Sequence, residues 1–241
     1  MQETFEATYH QIEKDHFWFK ARRQYIRQLL ADQSCQATVL DIGCSSGILL
    51  SELQENGFPP SQLYGVDISE RAIAKCHEKG LKNTFQMDAQ KIVLEKRFDI
   101  IIASDCLEHL PDDEEALQNW YNLLKPGGLI LVFVPAFQSL WSHHDEVNHH
   151  YRRYLLKDLK EKMQRGGFQL KKCSYWNFSL LPAVYLSRKI SAVISTEKGT
   201  GDLKPPGPAN ALLYTILKIE NQVLRNIDFP FGVSAFCIAT R

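Results

Sequence analysis

Several things are missing from this sequence. It has no net charge, because 28 Lys and Arg balance 28 Asp and Glu over 241 residues. A chain without a basic surplus attracts phosphate polyanions weakly, so no nucleic-acid partner is expected. There is no C-x-x-C pair among the six cysteines, at 35, 44, 76, 106, 173 and 237. Their scatter disfavours a disulfide framework and suits reduced thiols in a cytoplasmic protein. No apolar leader follows Met1, so no signal peptide is expected. The longest apolar stretch, Phe178 to Ile194, is interrupted by Arg188 and Lys189. It is too short and too charged to cross a bilayer, so no transmembrane segment is expected. Neither the dinucleotide spacing G-x-G-x-x-G nor the Gly-Lys-Ser/Thr of a P-loop occurs in the glycine-rich stretch.

That stretch is Val39-Leu-Asp-Ile-Gly-Cys-Ser-Ser-Gly47. An apolar strand pattern ends in Asp41, a turn holds Gly43 and Gly47, and a helical pattern follows. Such a turn brings bare backbone and a helix N-terminus close to a ligand. Asp41 would repel a phosphate and would accept hydrogen bonds from an ammonium or hydroxyl group. A zwitterionic, adenosine-bearing cofactor therefore fits better than a pyrophosphate.

The rest of the chain alternates in the same way. Residues 3–31 read as one or two helices, with Phe5, Tyr9, Ile12, His16 and Phe19 on one face. Trp18, Phe19 and Ile26 are expected to pack, and Arg22 or Arg23 could clamp a carboxylate near the pocket. Strands are expected at 37–42, 62–67, 83–87, 98–103, 129–134, 169–176 and 233–239. Helices are expected at 47–56, 69–79, 112–124, 155–165, 178–194 and 209–226. Continuous apolar runs separated by helices predict a parallel sheet covered on both faces. Ligands bind such sheets at the strands' carboxyl ends, near the point where strand order reverses. Asp67 ends the second strand, where one carboxylate matches the two adjacent hydroxyls of a ribose. Ser69 suits the following helix N-cap better than Asp67 does. Asp88 is placed for an adenine amine, with Ala89 as a backbone donor.

Taken together, Val39-Leu-Asp-Ile-Gly-Cys-x-x-Gly47, Gly65-Val-Asp-Ile-Ser69, Asp88-Ala89, Phe98-Asp-x-Ile-x-x-Ser104-x-x-x-Glu-His109 and Leu124-Lys-Pro-Gly-Gly128 resemble class I S-adenosylmethionine-dependent methyltransferases. The likeness covers residues 37–135 and is greatest to the quinone-biosynthesis branch. It implies a Rossmann-like seven-stranded α/β sheet, mostly parallel, with the last strand antiparallel. It also implies S-adenosyl-L-methionine as cofactor and S-adenosyl-L-homocysteine as product. Asp41, Gly43, Cys44 and Gly47 would cradle the methionine part, Asp67 and Ile68 the ribose, and Asp88 and Ala89 the adenine. Ser104 and its neighbours would line the sulfonium, and Arg22 joins the cofactor set.

Two clusters are candidates for the chemistry. Asp105, Glu108 and His109 form D-x-x-E-H after the fourth strand. A comparable cluster holds a divalent metal in some relatives, but no metal is the favoured reading here. The preferred role is structural, capping the helix that begins near Pro111. The second cluster, Trp141 to Tyr154, holds four histidines in fourteen residues. A general base is expected there. The candidates are His144, paired with Asp145, and His150, while Asp105 is the acidic candidate in the first cluster. Arg152, Arg153 and Tyr154 are candidates for the substrate, the arginines for an anionic group.

We divide a single domain into a helical cap (1–35), a cofactor-binding core (36–177), a helical insert (178–231) and a last strand (232–241). The insert holds about 55 residues where a hairpin takes two to five. Its apolar helices are expected to form a lid, the rivals being a dimer interface and a peripheral membrane patch. Ser195 to Pro208 reads as a low-complexity, mobile link. The expected function is methyl transfer to a small apolar or amphipathic molecule with a polar or anionic handle, by a monomer or homodimer. The alternatives are a non-catalytic S-adenosylmethionine-binding regulator and an RNA or protein methyltransferase.

Overall fold

The computed structural model describes residues 9–194 and 207–241. Phe5, with the rest of residues 3–8, and residues 195–206 of the expected mobile link lie outside the described residues. Seven strands make one sheet in the order β3-β2-β1-β4-β5-β7-β6. They are β1 (Val39–Ile42), β2 (Leu63–Asp67), β3 (Thr84–Gln86), β4 (Phe98–Ser104), β5 (Leu124–Pro135), β6 (Gln169–Trp176) and β7 (Ser234–Thr240). Only β7 is antiparallel to its neighbours. The helices are α1 (Phe17–Leu29), α2 (Ile48–Glu55), α3 (Glu70–Glu78), α4 (Asp113–Leu123), α5 (His143–Val147), α6 (Leu156–Arg165), α7 (Leu181–Ile194) and α8 (Asn210–Val223).

The central strands are apolar on both faces. In β4, Ile101 and Ala103 pack on one side with Trp120 of α4, while Ile100 and Ile102 pack on the other with Tyr25 of α1. This is the double-sided burial that a continuous apolar run demands. Strand order reverses at β1, which pairs with β2 on one side and β4 on the other. Asp41, Asp67 and Asp105 therefore all lie at the carboxyl edge around the reversal.

Helix starts follow local chemistry. Ser69 accepts from the Ala72 N–H at 3.1 Å and caps α3. Asp112 accepts from the Glu115 N–H at 2.9 Å and caps α4. That corrects the assignment of Glu108 and His109 as the cap near Pro111. β5 begins earlier than expected, because Leu124 pairs with Phe98 ahead of a bulge. α7 begins later, because Glu220 takes the backbone N–H groups of Phe178 at 3.0 Å and Ser179 at 2.8 Å. α8 is bound to α1: Asn221 donates to the Ala21 carbonyl at 2.9 Å and accepts from Trp176 Nε1 at 2.8 Å. The N-terminal cap and the insert thus share one layer. No helix among the described residues is long and apolar enough to cross a membrane.

Candidate functional site

The turn after β1 is held by its neighbour strand. The N–H groups of Gly43 and Cys44 both donate to the Val66 carbonyl, at 2.8 and 3.0 Å. Gly47 has φ of 73°, and a Cβ there would lie 2.5 Å from Leu81 Cδ1. Both the backbone and the packing therefore require glycine. Ser45 also has positive φ, at 48°. Asp67 orders this turn: its carboxylate accepts from the Ser45 N–H and the Ser69 N–H, both at 2.9 Å. Asp41 is 4% exposed. Burial, and then the charge of Asp67, push its carboxyl up to about 7. A buried carboxyl beside a second acid is where a cation would be stabilised most.

The other cofactor candidates spread along the same edge. Ile68 is exposed. Asp88 is exposed too, accepting from the Gln90 N–H at 2.8 Å in a local turn. Ala89 gives its carbonyl to Trp120 Nε1 at 2.8 Å. Ser104 accepts from Arg22 Nη1 at 3.3 Å. Arg22 is buried over the Trp176 and Phe133 rings, 4.2 and 4.7 Å from their centroids. Its Nη1 also pairs with Asp105 at 3.2 Å, and its Nη2 donates to Ser234 Oγ at 2.8 Å. This guanidinium, expected to clamp a ligand carboxylate, instead ties α1 to the end of β4.

Asp105 has φ of 53° and donates its N–H to the Phe133 carbonyl at 3.0 Å. The two chemical clusters meet just beyond it. The Tyr151 N–H donates to the Glu108 carbonyl at 2.8 Å. The rings of His109 and His150 stand edge to face, 4.5 Å apart. Glu108 is fully buried and neither carboxylate oxygen has a partner. Burial, with the charge of Asp105 second, pushes its carboxyl well up. Burial, and then His150, hold His109 down at about 3, so it is neutral. Ligand atoms of Glu108, His109 and His150 lie within 4.8 Å of one another. No metal was the expected reading; the grouping differs from the alternative set Asp105, Glu108 and His109, since Asp105 pairs with Arg22 and His150 stands in its place.

Asp145 pairs with His150, not with His144 as expected. It accepts from His150 Nδ1 at 2.8 Å and, in bidentate fashion, from Arg153 Nε and Nη2 at 2.8 and 2.9 Å. With its Nδ1 held this way, His150 keeps Nε2 for chemistry. His144 contacts Asn148 instead. Residues 152–154, expected to meet the substrate, have partners within the protein. Arg153 is buried on Asp145, and Arg152 pairs with Asp113 at 3.0 Å while donating to the Pro111 carbonyl at 2.7 Å. Tyr154 is buried and donates to Asp113 at 2.8 Å. Arg152 and Tyr154 lock the histidine segment to α4, while Arg153 braces it on Asp145 from within.

Sequence reasoning passed over Glu13 and His10. Glu13 is buried and accepts from Ser45 Oγ at 2.8 Å and from the Ser46 hydroxyl. The available signal was Ser45-Ser46 inside a turn whose conformation favours glycine.

A family model described as a methyltransferase domain matches residues 14–172. The chain is 31% identical over 118 residues to the ubiquinone biosynthesis O-methyltransferase of Nitrosomonas europaea, covering 45% of this chain and 48% of that one. It is 30% identical over 143 residues to the trans-aconitate 2-methyltransferase of Deinococcus radiodurans, covering 58% and 51%. The chain thus spans about half the length of these curated relatives. In fold it is similar to a SAM-dependent methyltransferase from Archaeoglobus fulgidus, with a TM-score of 0.59, 22% identity, and 92% and 94% of the two chains covered.

Proposed function

This chain belongs to the methyltransferase family, and from that premise we propose that it transfers a methyl group from S-adenosylmethionine to a hydroxyl of a small apolar or amphipathic molecule. The observation that carries the reading is the buried carboxyl of Asp41, set beside Asp67 at the reversal of strand order. This is an anionic, glycine-lined edge suited to a cationic nucleoside and hostile to a phosphate. Asp41 and the turn at 43–47 would hold the methionine part, Asp67 and Ile68 the ribose, and Asp88 with Ala89 the adenine. When bound, the sulfonium supplies an activated methyl group for in-line displacement. The protein's part is to align the acceptor and exclude water.

A neutral hydroxyl acceptor needs a base. His150 fits that role, because Asp145 fixes its tautomer and leaves Nε2 for a substrate proton. Since Arg152 and Arg153 are engaged within the protein, the handle on the acceptor is better read as polar than as anionic. The O-methyltransferase named among the relatives supports oxygen as the acceptor atom. Six free cysteines suit a reducing, cytoplasmic setting.

A second reading has its own observation. The unpartnered, buried Glu108 carboxyl faces His109 and His150, and a divalent ion held by these three would lower the pKa of a bound hydroxyl. The hydrogen bond from His150 to Asp145 is the outer support that metal-binding imidazoles use. One experiment separates the cases: transfer of labelled methyl from S-adenosylmethionine into a cell metabolite extract, with and without chelator. Transfer that survives chelation favours His150 as base, and chelator-sensitive transfer favours the ion. Binding of the donor with no transfer into any metabolite would leave a non-catalytic regulator.

A further inference from the structure

We infer that Glu13 is an affinity-determining residue of the cofactor site, a clasp that holds the N-terminal segment down on the glycine turn through the hydroxyls of Ser45 and Ser46. The inference rests on the proposed reading for what the turn holds. It does not rest on it for the clasp itself.

Glu13 is 4% exposed, and its carboxylate accepts from Ser45 Oγ at 2.8 Å, from Ser46 Oγ and from His10 Nδ1 at 3.1 Å. Burial alone would push this carboxyl up. The bonds from His10, Ser46 and Ser45 outweigh that and hold it below the usual range. Ser46 is gripped from the other side by Lys79, which donates to its Oγ at 3.0 Å. The chain just after Glu13 is pinned too. Arg23 donates to the carbonyls of Glu13 at 2.7 Å and Lys14 at 2.8 Å, and its Nε pairs with Glu52 of α2 at 3.0 Å. The glycine turn and the helix that follows it are thus both fastened to residues 13–14.

Ser45 makes the connection specific. Its φ of 48° belongs to the left-handed region, where a serine is strained and a glycine is not. Strain at a ligand-facing turn is a pointer to function. Here the strained residue supplies the hydroxyl that Glu13 accepts. Four residues earlier, Tyr9 packs edge-on against Phe19 with ring centroids 4.9 Å apart. Its phenol is pushed up by burial and by the charges of Glu13, Asp105 and Asp67. The segment therefore lies on the turn that follows β1, held there by Ser45 and Ser46. A nucleoside seated on the turn leaves only when that segment lifts, so the bonds of Glu13 set its rate of departure.

The test measures dissociation of S-adenosylhomocysteine by stopped-flow displacement, alongside the melting temperature, in wild type, Ser45→Gly, Glu13→Ala and the double variant. Ser45→Gly is expected to melt higher, because glycine relaxes the turn, and yet to release the ligand about tenfold faster, the size of one lost charge-assisted bond. Glu13→Ala, which also loses the bonds from Ser46 and His10, is expected to release the ligand faster still, and the double variant no faster than Glu13→Ala alone. Unchanged dissociation in Ser45→Gly and Glu13→Ala, with the wild type binding normally, overturns the clasp alone. Failure of the wild type to bind the ligand at all overturns the cofactor reading, and the clasp's assigned role with it. Ser45→Gly keeps the question decidable even if Glu13→Ala folds poorly.

Discussion

Replacing Asp145 with asparagine removes one charge from the best-connected acid in the molecule. Asp145 is fully buried and accepts from Arg153 twice, from His150 Nδ1 and from the Ser142 N–H at 2.9 Å. An amide keeps one acceptor oxygen and turns an N–H₂ toward donors, leaving the Arg153 guanidinium buried without a counter-charge. The two side chains are 0% and 2% exposed, so solvent does not screen the loss. Breaking such a pair on one side costs about 3–5 kcal/mol. For a domain of this size that is a fall in melting temperature of roughly 6–20 °C. Urea unfolding measures the free energy directly, with His143→Ala as control. The His143–Glu146 pair is exposed, and removing it should cost under about 0.5 kcal/mol. The linkage has a definite sign. Burial raises the Asp145 carboxyl, but His150 and Arg153 outweigh it and hold it well below the usual range. Its contribution is complete above the unfolded value near ~4 and fades as pH falls through the lower folded value, so Asp145→Asn should blunt acid unfolding. A stability loss below about 1 kcal/mol in Asp145→Asn would refute this reasoning.

Asp41 makes binding proton-linked. With its carboxyl raised to about 7 by burial and Asp67, a bound cation should expel a proton below that pH. Calorimetric titration at pH 6.5 in two buffers of different ionisation enthalpy should show proton release that Asp41→Asn abolishes. In the ligand-free protein the same group favours the fold below the unfolded value near ~4, and that contribution is lost as pH rises through about 7. Glu108→Gln should leave the melting temperature within about 2 °C, because burial already disfavours the charge that the amide removes. Under the metal reading the same variant should lose binding of a divalent ion in equilibrium dialysis; equal binding would remove Glu108 as a ligand.

The sheet was legible because its strands are continuous apolar runs ending in acids, and periodicity reports that pattern directly. The helix cap at Ser69 was legible for a similarly local reason. The pairings in the chemical cluster were not. His144 precedes Asp145 in sequence, yet α5 turns it away, and the chain returns five residues later to put His150 on the acid. Arg152 and Arg153 read as ligand-seeking cations because sequence does not show the buried acids, Asp113 and Asp145, that meet them. Glu13 stayed hidden for a third reason. Its partners, Ser45 and Ser46, lie more than thirty residues away, and only the left-handed backbone at Ser45 marks the place.

The most direct test is titration of S-adenosylhomocysteine into the wild-type protein and into Asp67→Ala. The account predicts saturable binding to the wild type and a loss on the order of a hundredfold in the variant, the worth of charge-assisted bonds to two ribose hydroxyls. Equal affinity in the two proteins would contradict it.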